Sequence, residues 1–307
     1  MEYVTLNNGV KMPQVGLGTY LIPQDKVVET IGKAYEMGYR SFDTAWRYHN
    51  EGLIAKALKE FNIPREDVFI TTKVNVDALY WKSVPDCCNI SKWNMRRRTV
   101  RQAIEDSFIN LGLEYIDMFM IHYPYKNFPK MWKVLSEIYH QGRVRAIGVC
   151  SFLPPHLDYL KDVSDVIPAV NQFEISPLNT QKKLIAYCQE NGIAPQAMST
   201  FSHFRSNEPR LEILNNPILL DVAEKHSKSV VQVVLRWLLQ QKVIIIPKTW
   251  DVTQLKENIS LFDFELNEEE MSAIDSLDKG VFLNYDPHHT LVNVPYTYNR
   301  WPQFLTY

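Results

Sequence analysis

The sequence has few cysteines, and their spacing gives no sign of a structural bond or a metal site. Cys87, Cys88, Cys150 and Cys188 are the four. A chain of 307 residues can bury a sizeable core without disulfides. The adjacent Cys87 and Cys88 also lack the two-residue gap that lets a pair of thiolates reach one zinc ion. We therefore expect free thiols, no bound metal and a cytoplasmic location, where cysteines stay reduced.

Excess charge and long apolar runs are also missing. The 33 basic and 35 acidic residues give a net charge of −2, which does not favour nucleic acid or an anionic membrane as a partner. No apolar stretch approaches the roughly 20 residues of a membrane-spanning helix. The first ten residues lack the pattern of a secretory signal. We expect no nucleic-acid or membrane partner, and a monomer or a weak homo-oligomer.

An alternation of two sequence patterns predicts the fold. Short apolar runs alternate with segments whose apolar residues have helical spacing, and eight such alternations predict a closed parallel sheet. The predicted class is α/β, a (β/α)8 TIM barrel with extended loops at its C-terminal face. Asn7, Asn8 and Gly9 predict the turn of an N-terminal β-hairpin that caps the barrel bottom. The predicted strands are 15–20, 41–45, 68–74, 116–122, 146–151, 169–174, 193–199 and 243–249, and the predicted helices include 25–37, 99–111, 129–141, 180–191, 216–226 and 229–241.

No low-complexity linker divides the chain, so we predict one domain over residues 1–307. Two parts depart from a minimal barrel: an inserted loop at 76–98 and a C-terminal tail at 278–307. Irregular segments of this length are usually functional or disordered. The loop leaves the third predicted strand just after Lys73, so it is either a specificity loop in which Trp81 covers the substrate or a packed surface segment. Both interpretations stay open.

Polar residues follow the apolar part of nearly every predicted strand. Asp43 and Tyr48 follow the second strand, Lys73 ends the third and His122 ends the fourth. Each has an ordinary alternative, such as a helix cap, a solvent-facing lysine or a buried core histidine. Barrel enzymes, however, build their sites from the C-terminal ends of several strands. The joint pattern therefore predicts one shared pocket, which four further strand residues would line: Ser151, Gln172, Ser199 and Lys248.

Nine sequence runs, all in the same order, resemble the aldo-keto reductase family. The resemblance extends from the hairpin to about residue 278. One such run would be weak evidence, but nine in the family's order are strong evidence. They also agree with the barrel that the strand and helix patterns predict. The runs are GLGTY (16–20), FDTAWRYHNE (42–51), ITTK (70–73), LGLEYID to IHYP (111–124), GRVRAIGV (142–149), NQFE (171–174), IPKT (246–249), LKEN (255–258) and FDFELNEEEMSAID (262–275).

The resemblance implies a reductase of aldehydes or ketones that transfers a hydride from NADPH, with NADH possible, and needs no metal. The cofactor would bind in an extended pose without a Rossmann glycine motif. Tyr48 would be the general acid, and a nearby Lys73 ammonium would lower its pKa. Asp43 would hold and neutralise the lysine, and His122 would hydrogen-bond the substrate oxygen.

The cofactor positions match the family less closely. The family's Ser-Asn pair after the fifth strand is here Cys150-Ser151, and the tyrosine that stacks on the nicotinamide is Met198. Gln254 stands where an arginine would meet the 2′-phosphate beside Lys248. The implied cofactor-binding set is Thr19, Asp43, Ser151, Gln172 (at the carboxamide), Met198, Ser199, Lys248, Thr249, Gln254, and Glu257 and Asn258 (facing the adenine).

Four aromatic residues would form the apolar wall of the substrate pocket: Tyr20, Trp46, Trp81 and Tyr123. Their alternative interpretation is ordinary filler at the barrel rim. Two other functions remain open, a cofactor-binding auxiliary or structural barrel with little turnover, and a dehydrogenase or isomerase of opposite net direction on a sugar or steroid. A purely structural barrel would not need a lysine and an aspartate beside Tyr48. The sequence does not identify the substrate, because fold does not decide it.

Overall fold

The computed structural model describes residues 2–74, 99–201, 208–283 and 286–288. The predicted loop at 76–98, including Trp81, Cys87 and Cys88, lies outside the described residues, and so does most of the predicted tail at 278–307. The prediction of a specificity loop therefore remains a prediction.

Within the described residues, the strands form a two-stranded hairpin and an eight-stranded parallel sheet. The hairpin pairs β1 (Tyr3–Thr5) with β2 (Lys11–Pro13) around a turn in which Gly9 has a φ of 83°. This left-handed conformation favours glycine. The barrel strands are β3 (Leu17–Gly18), β4 (Ser41–Asp43), β5 (Phe69–Val74), β6 (Ile116–Ile121), β7 (Val144–Cys150), β8 (Val170–Glu174), β9 (Ala194–Met198) and β10 (Ile244–Ile245).

The sheet closes on itself between its first and last strands. Strands β3 to β10 are neighbours in chain order. At the closure, the Gly16 amide donates to the Ile245 carbonyl at 2.8 Å, and the Ile245 amide donates to the Gln14 carbonyl at 2.9 Å. Val15 and Ile245 also form a parallel bridge. The predicted (β/α)8 barrel with an N-terminal hairpin is confirmed.

Six predicted helices agree with the structure to within two residues at each end. The N-cap of the first helix is Pro23, and Asp25 lies in the first turn. The carboxylate there still interacts favourably with the helix dipole. None of the described helices is both long and apolar enough to cross a membrane. The helices are α1 (Gln24–Glu36), α2 (Glu51–Glu60), α3 (Val100–Leu111), α4 (Phe128–His140), α5 (Pro154–Val163), α6 (Lys182–Glu190), α7 (Glu208–Leu214), α8 (Pro217–His226), α9 (Val230–Gln240), α10 (Val252–Ile259) and α11 (Glu268–Asp275).

Two apolar clusters hold the barrel together. The larger one fills the layer between the strands and the surrounding helices. The smaller one fills the barrel interior, where Met118 and Met120 pack with Phe69. Leu6 and Met12 of the hairpin region belong to this inner cluster, so the hairpin covers the barrel bottom. The lower interior is therefore filled mainly by apolar side chains.

The first residues of the tail pack at the C-terminal end of β8. The Lys279 amide donates to the Leu178 carbonyl at 2.9 Å, and the Thr180 hydroxyl donates to the Asp278 carboxylate at 2.6 Å. The Leu283 amide donates to the Glu174 carboxylate at 2.5 Å. The start of the tail is thus fixed at the barrel end where the predicted site residues lie.

Close packing inside the barrel makes a prediction at Gly148. This residue is in register with Met120, and a Cβ on it would lie 2.8 Å from the Val170 carbonyl oxygen and 3.0 Å from Met120 Cε. The carbonyl belongs to the neighbouring strand and cannot move freely. We expect Gly148→Ala to lower the free energy of unfolding by about 1–3 kcal/mol, measured by urea denaturation.

Gly52 in α2 supplies the matched control. Its Cβ would meet nothing closer than the Asn110 carbonyl oxygen at 3.7 Å, an ordinary contact. Alanine is favoured over glycine in helices by up to about 1 kcal/mol, so Gly52→Ala should be neutral or stabilising. If the two substitutions changed the free energy of unfolding equally, the claim that the barrel interior has no room for a Cβ at Gly148 would be wrong.

Candidate active site

A buried ion pair joins the ends of β4 and β5. Lys73 Nζ lies 2.5 Å from Asp43 Oδ1 and also donates to the Thr44 carbonyl at 2.9 Å. The Lys73 side chain is 0% exposed and that of Asp43 is 4% exposed. A buried ammonium is tolerated only when it is paired and hydrogen-bonded. The structure therefore brings these two predicted residues together, with Asp43 neutralising the lysine.

Tyr48 lies directly beside this pair. It ends a short 3-10 turn, Trp46–Tyr48, that follows β4. Lys73 Nζ is 5.3 Å from the centroid of the Tyr48 ring, and the ring of His122, just after β6, is 5.8 Å away in an edge-on arrangement. The four predicted catalytic residues thus form one cluster at the C-terminal end of the barrel.

The pKa of Tyr48 is raised in the folded protein. Burial of the phenol raises this pKa well above 10.0, and the nearby Asp43 carboxylate raises it further. The Lys73 ammonium favours the phenolate, but burial has the larger effect, so the net shift of the pKa is upward. Tyr48 therefore keeps its proton at neutral pH.

His122 is held in its neutral form. Burial is the main cause that lowers its pKa well below 6.5, and the positive charges of Lys73 and Arg47 add to the effect. Its ring stacks on that of Tyr123, with centroids 5.0 Å apart. Among the described residues, Nδ1 has no hydrogen-bond partner. A neutral imidazole carries one N–H donor, so His122 can still hydrogen-bond an oxygen.

The second oxygen of Asp43 is bound from across the barrel. Gln172 Nε2 donates to Asp43 Oδ2 at 3.0 Å and to Gln196 Oε1 at 2.8 Å. The thiol of Cys150 lies 3.8 Å from Gln172 Oε1. The sequence interpretation missed Gln196, although its place two residues before Met198 in the seventh predicted strand is a usable signal. Inward side chains alternate along a strand.

Ser151 and Ser199 come just after β7 and β9 and adopt left-handed backbone conformations, with φ of 59° and 54°. Such values are uncommon for residues other than glycine, and they turn the chain sharply at the strand ends. The Ser151 amide donates to the Gln172 carbonyl at 2.8 Å. Ser151 therefore lies beside Gln172, whereas Met198 is half-buried at the end of β9.

A second group of predicted cofactor residues lies where β10 leads into α10. The Thr249 hydroxyl donates to Gln254 Oε1 at 2.8 Å and accepts from the Asp251 amide at 3.0 Å. Lys248 is exposed, with Nζ 4.8 Å from the centroid of the Trp250 ring. Gln254 is thus tied to Thr249 and adds no positive charge beside Lys248.

The residues around Lys248 and the cluster around Asp43 come close to each other where the barrel closes. A Cβ on Gly18 would lie 3.7 Å from Lys248 Cβ, and the next residue, Thr19, donates its hydroxyl to the Asp43 carbonyl at 2.8 Å. Glu257 and Asn258 lie further along α10, half-buried and buried respectively.

Two of the four predicted wall residues contact the rings of the cluster directly. Tyr20 lies 4.7 Å from Tyr48 between ring centroids, and Tyr123 stacks on His122. Trp46 begins the turn that carries Tyr48 and lies 5.8 Å from the His49 ring. These rings place a largely apolar surface around the polar centre, as in many small-molecule sites.

The donor set fits a nicotinamide dinucleotide phosphate. Gln172 Oε1 has a second lone pair and the Ser151 hydroxyl can donate or accept, which suits a carboxamide. The exposed Lys248 ammonium suits a phosphate. In the described ranges, no cluster of three histidine, cysteine, aspartate or glutamate side chains could hold a metal ion.

Comparison with known proteins agrees with this geometry. The sequence pattern of the Aldo/keto reductase family matches residues 14–279. Glyoxal reductase of Bacillus subtilis is 38% identical over 293 residues, covering 94% of this chain and 98% of the relative. An aldo-keto reductase from a Medee basin deep-sea metagenome library superposes with a TM-score of 0.80 at 34% identity, covering 92% of this chain and 98% of that one.

A structure with bound cofactor is also similar. An aldo-keto reductase of Bombyx mori in complex with NADP superposes with a TM-score of 0.79 at 31% identity, covering 92% of this chain and 94% of that one. The family match alone spans well over half of the sequence. The chain therefore belongs to the aldo/keto reductase family.

Proposed function

We propose that the protein reduces an aldehyde or ketone to an alcohol with a hydride from NADPH, and that Tyr48 supplies the proton. The observation that carries the proposal is the buried Lys73–Asp43 ion pair beside Tyr48 and His122. Family membership and the NADP complex of a structural neighbour support the reaction class and the cofactor. A barrel with little turnover is not favoured, because it would have no need to bury these charges.

The side chains act on the carbonyl oxygen. When bound, the cofactor supplies the hydride that adds to the carbonyl carbon. Negative charge then develops on the oxygen, where the Tyr48 hydroxyl and the N–H of a neutral His122 can stabilise it. The Tyr48 proton moves to that oxygen, because an alkoxide is a stronger base than a phenolate. The Lys73 ammonium stabilises the phenolate that is left, while Asp43 keeps the lysine in place.

The cofactor roles are proposals of the same kind. Ser151 and Gln172 would hold the nicotinamide carboxamide, and Met198 would support the ring through its polarizable thioether. Lys248 and Thr249 would meet the 2′-phosphate. The remaining residues of the implied set, Thr19, Ser199, Gln254, Glu257 and Asn258, would line the rest of the cofactor path.

Other properties of the whole protein are also proposed. Residues 1–307 would form one domain, in the cytoplasm, as a monomer or a weak homo-oligomer. The substrate would be a small carbonyl compound enclosed by Tyr20, Trp46 and Tyr123. The 38% identity to a glyoxal reductase makes glyoxal the first substrate to test, followed by a panel of aldehydes, ketones and quinones.

Replacing the proton donor tests the reaction most directly. Tyr48→Phe removes the hydroxyl and keeps the ring, so kcat should fall by about 10²–10⁴ while the Kd for NADPH changes by less than about twofold. Tyr187→Phe is the matched control, because that hydroxyl bonds to Asp158 outside the barrel. Reduction by the Tyr48 variant at close to the natural rate would refute the role of Tyr48.

The two shifted pKa values predict how the rate depends on pH. The pKa of His122 lies well below 6.5 and that of Tyr48 well above 10.0, so both groups keep the same protonation state between these values. We expect kcat for reduction, at saturating cofactor, to stay flat from about pH 6.5 to about pH 9. His122→Gln should lower the rate without changing this shape. A fall in kcat as the pH rises through about 6.5 would indicate a charged imidazolium as the donor.

The neutral Gln254 predicts a weak preference between the two nicotinamide cofactors. NADPH should bind more tightly than NADH, because Lys248 supplies one cation for the 2′-phosphate. Gln254→Arg should raise the ratio of the Kd for NADH to the Kd for NADPH by about fivefold or more, since an arginine can bind a phosphate in a bidentate manner. Fluorescence titration of each cofactor measures the ratio.

Thr253→Arg is the control for this substitution. It adds the same charge at the neighbouring exposed position of α10. If both arginines change the ratio equally, the effect is one of general charge and not of a specific contact. Equal or tighter binding of NADH by the natural protein would overturn the preference for NADPH.

A further inference from the structure

A polar row crosses three neighbouring strands just below the proposed active site. Cys150, Gln172 and Gln196 are in register on β7, β8 and β9, so their side chains face the same side of the sheet. All three are buried, with Gln196 0% exposed. Strand β8 lies four strands away from β4, on the opposite side of an eight-stranded barrel. The Gln172–Asp43 bond therefore spans the barrel interior.

The chemistry of Asp43 fixes the direction of this row. An ionised carboxylate only accepts hydrogen bonds, so the Gln172 atom 3.0 Å from Asp43 Oδ2 must be the amide nitrogen. The same nitrogen has one more proton, and Gln196 Oε1 accepts it at 2.8 Å. Gln172 Oε1 then faces the Cys150 thiol. Each group therefore sets the orientation of the next.

Gln196 is the group that completes the arrangement. Without its oxygen, one proton of the Gln172 amide would be buried without an acceptor, which is unfavourable. The amide would then turn toward another acceptor and weaken its bond to Asp43. Lys73 would lose the fixed orientation of its carboxylate partner, although the Thr44 carbonyl would remain within reach.

We propose that Gln196 is a positioning residue that acts through the Gln172 amide to fix the Asp43 carboxylate against Lys73 beside Tyr48. The inference rests on the proposed function, since it concerns the same reaction. Among the described residues, Gln196 makes no hydrogen bond with Lys73 or Tyr48. Its effect should therefore appear in the chemical step and leave KM for the aldehyde unchanged, whereas the Kd for NADPH also depends on Gln172, which is proposed to hold the nicotinamide carboxamide.

Gln196→Met tests this inference, because methionine has a similar length and no hydrogen-bonding oxygen. We expect kcat at saturating NADPH to fall by about tenfold, with KM for the aldehyde changed by less than about threefold. The primary isotope effect on kcat with deuterated cofactor should rise, since hydride transfer becomes more rate-limiting. A smaller active fraction from poor folding would lower kcat without changing the isotope effect.

A further variant serves as the control. Thr71→Val removes a buried hydroxyl that is in register with Asp43 and has no hydrogen-bond partner among the described residues, so it should leave kcat and the isotope effect unchanged. A Gln196→Met variant that behaves like Thr71→Val would overturn the proposal.

A double-mutant cycle separates this inference from the proposed function. Urea unfolding is measured for Gln196→Met, Asp43→Asn and the pair, and then for Thr71→Val in place of Gln196→Met. If Gln196 acts on Asp43, the unfolding constant of the double variant should differ by at least about fivefold from the product of the single effects. Additivity would overturn the inference even in an active enzyme. If the natural protein reduces no carbonyl compound but the two substitutions are coupled in this way, the proposed function is wrong and the link between Gln196 and Asp43 still holds.

Discussion

The buried ion pair between Lys73 and Asp43 is the interaction on which the site depends. Removing both charges from water is expensive, and only a close contact with all hydrogen bonds satisfied makes the pair tolerable. The neighbouring strands β4 and β5 place the two side chains side by side, and the Thr44 carbonyl and the Gln172 amide each add a hydrogen bond to the pair. The barrel closure is therefore a condition for the chemistry, since it brings β8 opposite β4.

The same burial sets the protonation of the two donors. Tyr48 and His122 lie in surroundings that disfavour charge, so the pKa of the phenol rises and that of the imidazole falls. Both shifts stabilise the neutral form, and in both cases that form carries a proton to donate.

The sequence predicted the barrel and the four clustered residues because both depend on local patterns. Strand ends can be located from apolar runs, and Asp43, Lys73 and His122 stand at such ends. The direction of the Tyr48 pKa could not be predicted in this way, because it depends on the balance between burial and a charge already paired elsewhere. Gln196 was missed for a related reason. A glutamine within an apolar run indicates a functional role only once its hydrogen-bond partner on the next strand, here Gln172, is known.

The two halves of the proposed cofactor path differ in how firmly the fold constrains them. Ser151 and Gln172 are attached to the barrel strands, and a change there would disturb Asp43 through the Gln172 amide. Gln254 lies on α10 and is bonded to the Thr249 hydroxyl, with no recorded contact to the ion pair. Sequence change at the phosphate end therefore leaves the proton donor and its lysine in place. This separation explains how the proposed catalytic cluster can stay complete while the phosphate end of the proposed cofactor path changes.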